Sequence, residues 1–274
     1  MGNKKLSLTI GWLYPDLMST YGDRGNIVVL QKRCEWRGIE IDVERLDLGF
    51  TIKELKKCDL LFMGGAQDRQ QKIVSNDLTK EKVKELKEMI DNEVPGLYIC
   101  GAYQFLGKYY KEADGTTIPG LDIFDLYTEN PGINKPRLIG NIVTKTNVIL
   151  RASETSREVH LEDSSRLRSN NNTLVGFENH GGRTYLGQDI KPFGKVIKGF
   201  GNNGTDKTEG AVYKNSFGTY LHGPILPKNP HFADLLIKLA LEKKYKKSIE
   251  LKQLDDSLEL QANKAIVNRL QVQL

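Results

Sequence analysis

A chain of 274 residues, 39% hydrophobic and 27% charged, carries enough apolar material for one large folded domain or two small ones. No apolar run approaches the roughly 20 residues of a membrane span, and Lys4-Lys5 leads into a strand-like stretch rather than the apolar core of a signal peptide, so membrane insertion is not expected. The net charge of +5 is spread out, and its densest cluster, Lys243-Lys244-Tyr245-Lys246-Lys247, closes a predicted helix where cations suit the dipole; without an aromatic-studded basic stripe, no nucleic-acid partner is expected.

In chain order, Leu6–Leu13 reads as a strand and Gly25–Trp36 as an amphipathic helix stopped by Gly38. Ile39–Leu46 alternates as a strand, and Thr51 caps a short helix through Lys57. Leu60–Met63 is a buried strand ending in Gly64-Gly65, Thr79 caps a long helix to about Asn92, and a fourth strand ends at Cys100. Repeated strand–helix units with glycine at the strand ends predict an α/β fold, a doubly wound, mostly parallel sheet flanked by helices. Active sites in such sheets lie beyond the carboxyl ends of the strands, where Gly64-Gly65 and Cys100 fall.

After Gly115 the pattern shifts to short strands and turns, at 138–144, 174–178, 195–199, 210–214 and 216–221, which read as added antiparallel strands. A helix follows with Asn229 as N-cap and Pro230 at its first position. Residues 1–246 read as the main domain and 247–274 as a polar C-terminal tail. Within that tail Leu258, Leu260, Ala262, Ile266, Val267 and Leu270 give one apolar face in need of a surface. Three widely spaced cysteines, Cys34, Cys58 and Cys100, argue against a disulfide framework or a Cys-only metal site and for a reducing cytoplasm. Ser7 stands one place beyond the position an N-myristoylation signal requires, so lipidation is discounted.

Cys100 is the candidate for chemistry. Leu97-Tyr98-Ile99 precedes it as a strand and Gly101-Ala102-Tyr103-Gln104 follows as a helix, so the thiol sits at a sharp strand-to-helix turn with free backbone donors beside it for a developing oxyanion. The plainer reading is a small buried hydrophobe. A nucleophilic thiol needs a base. His160 lies in a polar loop and His231 in a first helical turn, both reading as surface. His180 lies in a Gly-rich turn, while His222 ends an apolar strand before Gly223-Pro224 and is the better base, its plainer reading being an incidental loop histidine.

Gly64-Gly65, Cys100-Gly101-Ala102-Tyr103-Gln104 and Tyr220-Leu221-His222-Gly223 resemble the motifs of the class I, triad-type glutamine amidotransferases, in their CobB/CobQ-like branch. Further segments resemble the glutaminase subunits of the bacterial lipid II isoglutaminyl synthases within that branch. They are residues 13–18, 21–26, Gln67-Asp68-Arg69-Gln70-Gln71, Arg137-Leu138-Ile139-Gly140, 177–187 and 218–230. The resemblance implies a glutaminase: Cys100 attacks the side-chain amide of glutamine, and His222 activates the thiol and protonates the departing ammonia. Gly65 and Gly101 would supply N–H groups to the oxyanion, Arg137 would bind the glutamine substrate, and Gln104 would line the pocket or serve as a core amide. The ammonia would pass to a separate MurT-like ligase holding ATP and Mg²⁺, which amidates a peptidoglycan-precursor carboxylate; no cofactor or metal is expected on this chain. Pro224 stands where other members of the class carry a Glu two residues after the histidine, so the orienting acid must come from elsewhere in the chain, Glu178 or Asp23 being candidates, or from the partner. Two other readings are a corrinoid amidotransferase, against which stands the missing nucleotide phosphate loop, and a non-enzymatic scaffold whose cysteine senses oxidants.

Overall fold

The structure, a computed structural model, describes residues 5–146 and 172–273. Its centre is a six-stranded sheet assembled from β1 (Ser7–Leu13), β2 (Glu40–Leu46), β3 (Leu60–Met63), β4 (Gly96–Ile99), β13 (Ala211–Tyr213) and β14 (Ser216–Thr219). The order is β13-β14-β4-β3-β1-β2, every pair parallel except the β13–β14 hairpin at one edge. β3 and β4 are buried at every position, as strands covered on both faces must be, which is why they read as unbroken apolar runs.

The covering helices are α1 (Arg24–Glu35), α2 (Ile52–Leu55), α3 (Asp68–Asp77), α4 (Lys80–Asp91), α5 (Gly101–Phe105) and α6 (Pro230–Tyr245). Thr51 caps α2 in a full capping box with Glu54, and Thr79 caps α4 through Lys82 N, as their sequences predict. Asn229 holds the N-cap position of α6 with Pro230 at its first turn, as expected. Its side chain makes no cap bond to α6; instead it bridges the Val175 N–H and carbonyl and the Ile225 carbonyl, tying the helix start to a second sheet.

Two four-stranded sheets build the rest. One, ordered β10-β7-β5-β6, comprises β5 (Tyr109–Lys111), β6 (Thr117–Pro119), β7 (Leu126–Glu129) and β10 (Arg183–Leu186). The other, ordered β12-β11-β8-β9, comprises β8 (Leu138–Lys145), β9 (Thr173–His180), β11 (Gly194–Lys198) and β12 (Thr208–Glu209). A backbone bridge between Phe177 and His222 joins β9 to the end of the central sheet.

The C-terminal segment folds back on this body. Arg33 of α1, 1% exposed, binds Asp234 of α6 and Asp256, and α7 (Ser257–Arg269) sets Val267 against Val143 and Val175. The apolar face expected in the tail is therefore divided: Val267 is covered by the chain's own sheet, while Leu258 remains 73% exposed.

Candidate active site

Cys100 stands at the end of β4 with φ 49° and ψ −102°, a conformation that L-residues rarely adopt. The strain is held on both sides: its N–H donates to the Thr219 carbonyl of β14, and its carbonyl accepts from Gln104 N as the first bond of α5. Gly101 must follow, because a Cβ there would lie 2.8 Å from the Ala66 backbone nitrogen and oxygen. That close approach leaves the Gly101 N–H, a first-turn donor with no intrahelical acceptor, beside the loop after β3.

His222 emerges three residues beyond β14 and is fully buried, its backbone clamped to Phe177 by a 2.8 Å N–H···O bond and a 3.1 Å return bond. Its imidazole bonds to Cys100, and its Nδ1 lies 3.5 Å from Asp23 Oδ1. Burial by itself would depress this imidazole; the charge of Cys100 as thiolate, together with hydrogen bonds to Asp23 and Cys100, overrides it and pushes the group up to about 10. Of the two acids named from sequence, Asp23 is the one that reaches His222, whereas Glu178 accepts from Phe200 N and Gly201 N and faces His180 at 3.8 Å. A carboxylate thus reaches the imidazole from within this chain.

Asp23 also changes the reading of Gly65. Its Oδ2 accepts the Gly65 N–H at 2.6 Å, so that donor, expected to face an oxyanion, is engaged by the carboxylate instead. A Cβ on Gly65 would lie 2.6 Å from Thr20 Oγ1 and 3.0 Å from the His222 ring, so glycine is required there for packing around the imidazole. The next residue, Ala66, shares the pocket wall with Cys100 and sits against Gly101.

Cys100 opens onto a cavity of about 510 Å³ whose walls include Ala66, Gln104, Arg137, Asn179 and His180. Arg137 is fixed by Asn179, its Nε donating to Oδ1 at 2.9 Å and its Nη2 to the backbone carbonyl at 2.8 Å. Gln104 is buried, donating to the Tyr220 hydroxyl at 3.0 Å and accepting from Gln71 at 3.5 Å, so it belongs to the pocket floor. His180 stacks on Tyr220 with centroids 3.6 Å apart, and burial holds it below the usual histidine range. Cys34 and Cys58 lie elsewhere in the core, both pushed up to about 12 by burial. His231, expected at the surface, has both ring nitrogens buried and is driven down to about 4 by desolvation. His160 lies outside the described residues.

Sequence reading missed Asn179 and Ala66. Asn179 was legible in principle: in β9 the residues from Phe177 onward alternate, with Phe177 and Asn179 half-exposed and Glu178 and His180 buried, so one strand supplies the His222 clamp, the Arg137 holder and a pocket wall.

A thiol on a strained elbow, an imidazole and a carboxylate behind it, and an arginine across the cavity make an arrangement for acyl transfer from an amide carrying an anionic group. Comparison with known proteins agrees. The CobB/CobQ-like glutamine amidotransferase domain matches residues 9–230, and the chain belongs to that family of enzymes. It is 42% identical to the Staphylococcus aureus lipid II isoglutaminyl synthase (glutamine-hydrolyzing) subunit GatD, over 96% of each chain. It is 40% identical to the Streptococcus pneumoniae subunit of the same name, over 94% of this chain and 89% of that one. A crystal structure of a glutamine amidotransferase superposes with a TM-score of 0.53 at 12% identity, covering 84% of this chain and 98% of the other, which shows the shared fold.

Proposed function

We propose that this chain is the glutamine-hydrolysing subunit of a lipid II isoglutaminyl synthase, and that Cys100, His222 and Asp23 are its catalytic triad. The observation that carries the reading is the meeting of Cys100, His222 and Asp23, from three distant stretches of sequence, at the wall of the cavity that holds Arg137. Glutamine enters with its α-carboxylate on the Arg137 guanidinium, which Asn179 holds in place. Cys100 Sγ, its proton already resting on His222, attacks the side-chain amide carbon; Asp23 orients the imidazolium. The oxyanion is received by the Gly101 N–H and, in place of Gly65, by the Ala66 N–H. His222 returns its proton to the leaving nitrogen, ammonia departs, and water attacking the thioester releases glutamate.

Free ammonia would be protonated in water to unreactive ammonium, so it must pass directly to a second active site. The names of the curated relatives support a partner subunit, which on this reading is a MurT-like ligase using ATP and Mg²⁺ to amidate the D-glutamate of lipid II. Among the described residues no helix is long and apolar enough to cross a membrane, and a reduced Cys100 suits the cytoplasm.

The test is glutamine hydrolysis by the chain alone and mixed with its cognate Mur-ligase-like partner, with product analysis on lipid II. Hydrolysis is expected to vanish in Cys100→Ala and persist in Cys34→Ala and Cys58→Ala, and amidated lipid II to form only in the mixture. Labelling of Cys34 or Cys58 by a glutamine-derived electrophile, with Cys100 unreacted, sinks the reading of the site. A mixture that yields no complex and no amidated lipid II sinks the two-subunit reading.

A further inference from the structure

A second cavity, of about 720 Å³, lies at the opposite end of the central sheet from Cys100. The strand register places it there: Tyr213 pairs with Ser216, Ser216 with Gly96, and Gly96 begins the strand whose far end is Cys100. It is thus separate from the glutamine pocket. Its size lies within the range of small-molecule sites, roughly 300–1,000 Å³.

Five lysines rim it: Lys145, Lys191, Lys195, Lys207 and Lys214. All five are exposed, and none forms an ion pair among the described residues. Two acids share the lining. Asp206 accepts from Asn203 Nδ2, Thr208 N and Thr208 Oγ1, all neutral donors, so it and Asp189 offset two of the five lysine charges and leave a positive excess. Five like charges around one concavity repel each other, and that cost is recovered when an anion occupies the centre. Lys207 and Lys214 adopt φ of 58° and 54°, the left-handed region where glycine or asparagine is the easier residue. A lysine at both turns keeps its charge on the rim despite that backbone cost. Phe193, Val212 and Tyr213 supply an apolar and aromatic wall beneath the ammonium groups.

We propose that this cavity is a binding site for a phosphate-bearing anion carrying an apolar or ring-shaped portion that rests on Phe193, Val212 and Tyr213. Lysines act as point charges on phosphate oxygens without demanding the fixed fork of an arginine, which suits a diphosphate whose geometry varies. Such an anion can come as a free nucleotide or as the headgroup of an anionic lipid.

The experiment uses the full chain at low ionic strength with three probes: inorganic diphosphate, ADP, and phosphatidylglycerol vesicles set against phosphatidylcholine vesicles. Binding is measured by calorimetry for the first two and by co-sedimentation for the vesicles. The pocket variant is Lys195→Glu with Lys207→Glu. A control, Lys80→Glu with Lys87→Glu, makes the same change in net charge on α4. The wild type and the control are expected to bind alike, and the pocket variant to bind at least about tenfold more weakly with glutamine hydrolysis unchanged. Saturable binding of ADP or diphosphate assigns a free anion. Binding of phosphatidylglycerol vesicles alone assigns a lipid headgroup. No binding of any probe, or equal losses in pocket variant and control, overturns the proposal.

Discussion

The His222 imidazole is pulled in two directions. Full burial disfavours its charged form, while the Cys100 thiolate and Asp23 favour it, and the balance leaves it up near 10. If the thiolate is the largest upward influence, Cys100→Ala should move the His222 titration down by at least about one unit, followed by NMR of the imidazole across a pH series. An unmoved titration would mean that no thiolate–imidazolium pair exists here. The placement of Cys100 and His222 at strand ends was readable from local turn chemistry, whereas Arg137 was named only from the resemblance of the 137–140 segment. The choice between Asp23 and Glu178 was not readable, because it depends on whether the start of α1 or strand β9 brings its acid to the imidazole. Gly65 was misread for a related reason: a Gly-Gly strand end shows that a backbone approaches closely, but not which acceptor takes its N–H.

At the scale of elements, the segment that delivers His222 is held by a buried acid no motif announced. Glu209 of β12 is fully buried and accepts from Thr219 Oγ1 and Tyr220 N, both at 2.8 Å, just before His222. Burial pushes its carboxyl up to about 8 against the pull of those two bonds. Between its ordinary value of 4.5 and about 8 the folded chain therefore binds more protons than the unfolded one. Stability should fall as pH rises through that window and level off above it. Glu209→Gln keeps an acceptor for both donors and removes the titration, so its melting temperature should fall less steeply between pH 5 and 8, as thermal unfolding in a buffer series will show. Equal slopes for the two proteins would mean Glu209 is not held neutral. β1 and β2 were legible from seven-residue patterns, β3 and β4 from unbroken apolar runs, and α2 and α4 from their threonine caps. β5, β6, β7 and β10 were not, being three or four residues long with no apolar run to mark them. α3 escaped because its sequence, DRQQKIVSND, offers only two adjacent apolar residues and no capping side chain.

Across the whole molecule, one arginine joins the first helix, the last core helix and the tail. Arg33 binds Asp234 through Nε at 2.7 Å and Nη2 at 2.8 Å, and Asp256 through Nη1 at 2.6 Å. Arg37 adds a 2.7 Å contact to Asp234 and another to the Lys252 carbonyl. Beyond this clasp α7 is anchored by Val267 on Val143 and Val175, with Ile266 and Leu270 packed against them, and by Asn263 Nδ2 on the Lys228 carbonyl at 2.9 Å and Asn229 Oδ1 at 3.2 Å. Removing Arg33 leaves two carboxylates facing each other with only Arg37 to offset them, and the cost of breaking a buried pair is about 3 kcal/mol where the acids stay partly solvated. Because the lost contacts are concentrated at the tail, local release should precede global unfolding. In Arg33→Ala, limited proteolysis is therefore expected to cut between residues 246 and 257 well before the body is attacked, and hydrogen exchange in α7 to rise more than in β3 or β4. Arg33→Met, which refills the volume without the charge, should not rescue the clasp. If both variants protect the tail as the wild type does, the Arg33 cluster is a by-product of packing, and α7 is held by its apolar contacts alone.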